Sequence, residues 1–140
     1  RLEGYQKTLL KYKLNVPRNY ITFGEFLRTP ARAAAKKLLS LKARPTAIFA
    51  ASDVMALELM DVAREMKIKI PEELSVIGFD DNPLSLTNSI KLTTVAQPIV
   101  EMGRLGAENL SLISRGKAGL PVKVVLPTKL LKGDSTAKLS

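Results

Sequence analysis

The sequence predicts an α/β domain built on a parallel sheet, and three observations carry that prediction. Thr46–Ala50 and Ser75–Phe79 are short, almost wholly apolar runs, as strands covered on both faces read. Helical patterns alternate with these runs, and parallel neighbours need such crossovers. Each run also stops abruptly on small and acidic residues, at Ser52-Asp53 and at Asp80-Asp81. Ligands of open parallel sheets bind just outside the carboxyl ends of the strands, so two strands ending on aspartates read as two walls of a polar pocket. At 140 residues the chain is one domain by length and long enough to bury a sizeable core.

The elements follow in order. Leu2, Tyr5, Leu9 and Tyr12 have helical spacing, so residues 2–14 read as a helix that Asn15-Val-Pro-Arg-Asn ends. Tyr20-Ile-Thr-Phe is a strand candidate closed by Gly24. Thr29-Pro30 opens the next helix, with threonine as N-cap and proline in the first turn, and Pro45 blocks continuation beyond about Leu41. After strand 46–50, Ser52 or Asp53 caps a helix to about Met66. Strand 75–79 is followed by an irregular polar stretch from Asn82 to Ile90. Leu92-Thr-Thr-Val-Ala is a brief β-prone run, and Pro98 starts a long helix to about Arg115 whose apolar face is Ile99, Met102, Leu105, Leu110 and Ile113. Gly116–Gly119 is a turn, Val122–Leu126 and Lys129–Leu131 are short strands, and Gly133–Ser140 reads as a frayed tail.

Composition excludes whole classes of chemistry. With no cysteine and no histidine there are no disulfides, thiol nucleophiles or imidazole bases, and zinc sites lose their usual ligands. No phosphate-binding or dinucleotide glycine motif is present, and Asp80-Asp81 is a poor acid/base pair, because adjacent residues on an extended segment point to opposite sides. The chain is therefore expected to be no enzyme, with no metal and no cofactor. No apolar run approaches the roughly 20 residues a membrane span needs, and no signal peptide opens the chain, so a cytoplasmic location is expected. The net charge of +9 sits wholly in residues 1–45. Clustered cations suit nucleic acid, but no aromatic or glycine-rich element accompanies them, and solvated helix faces account for them more simply.

Four stretches in register carry a family resemblance: Arg1-Leu-Glu-Gly-Tyr; Arg44-Pro-Thr-Ala-Ile-Phe-Ala-Ala-Ser-Asp-Val-Met-Ala-Leu; Ile70-Pro-Glu-Glu-Leu-Ser-Val-Ile-Gly-Phe-Asp-Asp; and Leu92-Thr-Thr-Val-Ala-Gln-Pro. From Arg1 to Thr136 the chain resembles the effector domain of LacI/GalR-type transcriptional repressors, which has the periplasmic-binding-protein type I fold. The resemblance implies a C-terminal fragment of such a regulator. Residues 1–97 would form the C-terminal lobe, residues 98–126 a crossover helix and return segment toward a first lobe outside the chain, and residues 127–140 the final strand and tail. It departs from the family at Ile90-Lys91, where a proline is usual, and at Gly133, where an arginine is usual.

The same resemblance implies a sugar effector, with a nucleobase as the next choice, held between two lobes in a homodimer. Operator DNA would be bound through a module outside this chain. The alternative is an extracytoplasmic sugar-binding protein serving a transporter. Asp80 is the leading ligand contact, since a carboxylate accepts two hydrogen bonds from vicinal hydroxyls. Arg1 offers a planar fork of donors, and Phe26 a flat face for a ring. Ser52 and Asp53 divide capping and ligand contact between them, and Gln97 reaches the cleft from the crossover. Leu57 and Leu84 match positions of the family's dimer contact.

Overall fold

A computed structural model describes residues 1–83, 89–116 and 123–138. In chain order these form α1 (Leu2–Lys11), a turn of 3-10 helix (Arg18–Tyr20), α2 (Arg28–Leu39), β1 (Ala47–Phe49), α3 (Asp53–Glu65), β2 (Ser75–Asp80), β3 (Thr93–Ala96), α4 (Ile99–Ser114) and β4 (Lys129–Leu131). The sheet order is β1-β2-β3-β4, parallel across the first three strands, with β4 antiparallel at the edge. The predicted α/β class and parallel sheet are both present.

The core lies between α3, α2 and one face of the sheet. Ala56, Leu59, Val62 and Ala63 of α3 meet Leu74, Val76 and Leu92 from the sheet side, and Ala35 and Leu39 from α2. Leu74, Val62 and Val76 are fully buried, each worth roughly 1.5–3 kcal/mol in removal from water. Of the two candidate caps, Ser52 opens α3: it is extended, and its Oγ accepts from Met55 N at 3.3 Å.

Several sequence expectations are corrected. Tyr20–Phe23 is no strand: it begins in the 3-10 turn and then runs extended, with Ile21 at φ −103°, ψ 121°. It shares with the free edge of β1 the walls of an apolar groove of about 550 Å³, lined by Ile21, Phe23, Leu38, Ile48, Phe49 and Met55 among others. A chain that faces β1 across a groove has no ladder to join, and β propensity alone cannot make a strand. Phe49 of β1 also lines this groove. α2 starts one residue before Thr29, with Leu27 at the cap position and no side-chain cap, so Pro30 falls on the third helical residue. α1 stops at Lys11, ahead of Lys13 in the left-handed region. Residues 123–126 form no strand; Val122 lies outside the described residues.

The tail is not frayed through its length. Ser135 is fully buried between β2 and β3: its Oγ donates to Val76 O at 2.6 Å and accepts from Thr93 N at 2.8 Å, while its carbonyl accepts from Val76 N at 2.8 Å. Gly133 lies so close to the chain at Lys91 that a Cβ would collide with Lys91 O and lie 2.8 Å from the Leu92 carbonyl carbon. The departures at Lys91 and Gly133 thus fall on one close backbone crossing. Part of the N-terminal positive charge is spent internally, since Arg28 and Arg32 pair with Glu58, Arg32 also with Glu65, and Arg44 with Glu73.

Candidate functional site

β1 and β2 pair in parallel and β2 and β3 do the same, so their carboxyl ends open on one side of the sheet. Asp80 closes β2 opposite Ala96 of β3. That register brings Gln97, the residue just after β3, within reach, and its Nε2 donates to Asp80 Oδ1 at 2.6 Å. Arg1, just ahead of α1, donates through Nη2 to the same oxygen at 2.9 Å and through Nη1 to the carbonyl of Ala51, just beyond β1. Its guanidinium lies 4.0 Å from the centroid of the Phe79 ring and 5.7 Å from that of Phe26. One side chain thus ties together the ends of β1 and β2, seated on an aromatic face where a cation is attracted.

The cluster is open to solvent, with 29% of the Arg1 side chain and 27% of that of Asp80 exposed. The backbone around it is unusual. Asp80 and Asp81 have φ of 116° and 60°, and Glu25 and Phe26 have φ of 51° and 57°. Non-glycine residues seldom hold such angles, and those that do gather at functional sites. Phe26 is 58% exposed on its loop and faces the Arg1 side of the cluster. Arg1, Phe26, Asp80 and Gln97, singled out separately from the sequence, therefore come together.

Ser52 and Asp53 do not reach this surface. Ser52 is buried with its hydroxyl engaged as the α3 cap. Asp53 is fully buried; Oδ1 accepts from Thr94 Oγ1 at 2.6 Å and Oδ2 from Asn82 N at 2.7 Å. Burial raises its pKa above the ordinary carboxylate value, with the two hydrogen bonds opposing and the charges of Asp80 and Asp81 adding to the rise. The α3 start aims the Asp53 side chain into the sheet, at glycine in position 78, where a Cβ would collide with Oδ1. Leu57 is half-buried against the core, and Leu84 lies outside the described residues.

Sequence reasoning missed Phe79 and the Ala51 carbonyl. Phe79 carried the signal of an ordinary strand residue, and alternation alone could have placed it on the opposite face from Gly78. A backbone carbonyl leaves no mark in a sequence. Among the described residues, no group of three or more metal-ligating side chains is set to hold an ion, and no helix is long and apolar enough to cross a membrane.

The chain is similar to proteins already known. Residues 1–136 match the family described as a periplasmic binding protein-like domain. The chain is 37% identical over all of its 140 residues to the HTH-type transcriptional regulator DegA of Bacillus subtilis, of which it spans 41%. It is 42% identical over 104 residues to the HTH-type transcriptional repressor CytR of Escherichia coli K12, covering 74% of this chain and 30% of that repressor. Among solved structures, a complex of the transcriptional regulator CelR with cellobiose superposes with a TM-score of 0.91 at 33% identity, over 96% of this chain and 41% of that one. A LacI-family regulatory protein of Chloroflexus aggregans does so at 0.86 and 35%, over 98% and 50%. The chain spans less than half the length of the curated relatives it matches, and these relatives are regulators, with which the expectation of a non-enzyme agrees. The chain belongs to the periplasmic binding protein-like domain family, in the form carried by LacI-family transcriptional regulators.

Proposed function

We propose that this chain is the effector-sensing and dimerisation region of a cytoplasmic transcriptional repressor, and that its effector is a sugar. The observation that carries the reading is the Arg1–Asp80–Gln97 cluster seated on Phe79 at the carboxyl ends of the strands. Arg1 and Asp80 neutralise each other, which favours a neutral polyhydroxy ligand over an anion. Asp80 Oδ2 accepts from ligand hydroxyls, Arg1 and Gln97 donate to ring or hydroxyl oxygens, and Phe26 covers an apolar ring face. The cellobiose complex of a relative with the same fold supports a sugar, and a nucleobase fits the same flat, polar-edged site next best.

Ligand bound here would also touch a second lobe and favour the closed arrangement of the two. In a dimer that shift alters the spacing of two DNA-binding modules, so that occupancy at one site changes affinity at another. Leu57, half-buried on α3, and Leu84 are the proposed dimer contacts.

The test is calorimetric titration of the intact protein with cellobiose, sucrose and adenine, alongside its affinity for DNA from its own promoter region. One panel member is expected to bind and to change DNA affinity, and Asp80→Ala is expected to weaken its binding more than tenfold. Binding of none, or binding untouched by Asp80→Ala, refutes the reading.

A further inference from the structure

We infer that Asp53 is a positioning residue for the effector site, holding the backbone after Asp80 in the conformation that presents that carboxylate. The inference rests on the reading of Asp80 as a ligand contact. The first support is connectivity. Asp53 begins α3, yet its carboxylate reaches β3 through Thr94 Oγ1 at 2.6 Å and the loop after β2 through Asn82 N at 2.7 Å. Asn82 is two residues beyond Asp80, and the intervening backbone is held at positive φ in both Asp80 and Asp81. A conformation that L side chains seldom adopt persists only where its surroundings over-determine it, and the bond from Asn82 N to Asp53 sits at the end of that strained pair.

The second support is space. Gly78 lies two residues before Asp80 on β2, and a Cβ there would collide with Asp53 Oδ1 and come within 2.8 Å of Leu92 Cδ2. The carboxylate is therefore packed against the strand itself. The third is complete burial, which gives the group no access to a ligand and makes each of its hydrogen bonds costly to lose. Asp53 thus grips the strand before Asp80 and the loop after it. A ligand would meet Asp80, and Asp53 would fix where Asp80 stands.

Hydrogen exchange at the Asn82 amide tests this without any ligand. In the wild-type chain that amide is expected to exchange at least a hundredfold more slowly than an unstructured amide. Asparagine at position 53 can still accept from Asn82 N and donate to Thr94 Oγ1, so Asp53→Asn is expected to stay within threefold of wild type. Asp53→Leu keeps the branched shape of the side chain, is bulkier, and loses both bonds. It is expected to speed exchange at Asn82 at least tenfold while Val62 and Val76 in the core change less than threefold. An unprotected Asn82 in the wild type overturns the inference at once, even if Asp53→Leu does not fold. It is also overturned if Asn82 accelerates only in step with Val62 and Val76, or if Asp53→Asn loses as much protection as Asp53→Leu.

A parallel titration with cellobiose, sucrose and adenine separates the two ideas. For whichever compound binds, Asp53→Leu should weaken affinity at least tenfold and Asp53→Asn less than threefold. Binding of none of them refutes the effector reading, whereas the exchange data still decide whether Asp53 holds the loop.

Discussion

At the scale of single residues, the buried carboxylate of Asp53 gives a pH signature with a definite sign. Its native pKa lies above the unfolded value of 3.8, chiefly because burial disfavours the charge, with Asp80 and Asp81 adding to it. Between those two values the native state binds the proton that the unfolded state has released, so stability falls as pH rises through that window. Other carboxylates act the other way: Glu73 is held below its ordinary value, first by the Lys69 backbone N–H, and its contribution is lost as pH falls. Comparing wild type with Asp53→Asn cancels those shared terms. The stability of wild type minus that of Asp53→Asn should decline as pH rises from below 3.8 and level off above the raised native value, as measured by urea unfolding from pH 3 to 8. A flat or rising difference would show that the carboxylate is not disfavoured by its site.

At the scale of elements, the terminal segment holds the sheet together at the point where β2 and β3 begin to pair. β2 and β3 are in register from Ile77 and Thr93 onward, and Ser135 fills the position just before them, bonded to both. Ser135→Ala leaves the buried Thr93 N–H without that acceptor, a loss of roughly 1–3 kcal/mol for an orphaned buried donor. A lowered urea midpoint with unchanged slope would record it; an unchanged midpoint would mean that the Ser135 hydroxyl contributes nothing to the fold. This stitch also marks the boundary of what was legible beforehand. β1, α3, β2 and β3 were readable because apolar runs, a serine cap and abrupt acidic stops are local signals, and Asp80, Arg1, Phe26 and Gln97 followed from motifs in register. Ser135 looked like any polar tail residue, because a buried serine is defined by partners 42 and 59 positions away. Ser52 and Asp53 could not be told apart for the same reason: adjacent hydroxyl and acidic residues at a strand end look alike until Ser52 is seen to cap α3 and Asp53 to meet Thr94 and Asn82. Tyr20–Phe23 had the composition of a strand and lacked only a neighbour.

At the scale of the whole molecule, the chain exposes far more surface than a self-sufficient domain. Its accessible area is 10,079 Å², about 40% above the roughly 7,100 Å² expected of a folded monomer of 15.3 kDa. α4 buries no residue although its sequence is amphipathic, leaving Ile99, Met102, Leu110 and Ile113 open. Contiguous apolar surface of this kind marks an interaction face. The charged residues of the same helix are already satisfied by one another, since Arg104 pairs with both Glu101 and Glu108, so the apolar face is what remains to be covered. The free edge of β1 and its apolar groove add a second uncovered surface. The 140-residue chain on its own should therefore bind the dye ANS and self-associate with rising concentration. Leu110→Glu combined with Ile113→Glu removes two exposed apolar side chains and touches no buried one, so it should leave the unfolding midpoint nearly unchanged. The same pair should lower ANS fluorescence severalfold and raise the monomer fraction in sedimentation velocity. If both readouts stay at wild-type levels, the α4 face is not the surface that seeks a partner, and the groove beside β1 is the next to be tested by Ile48→Glu.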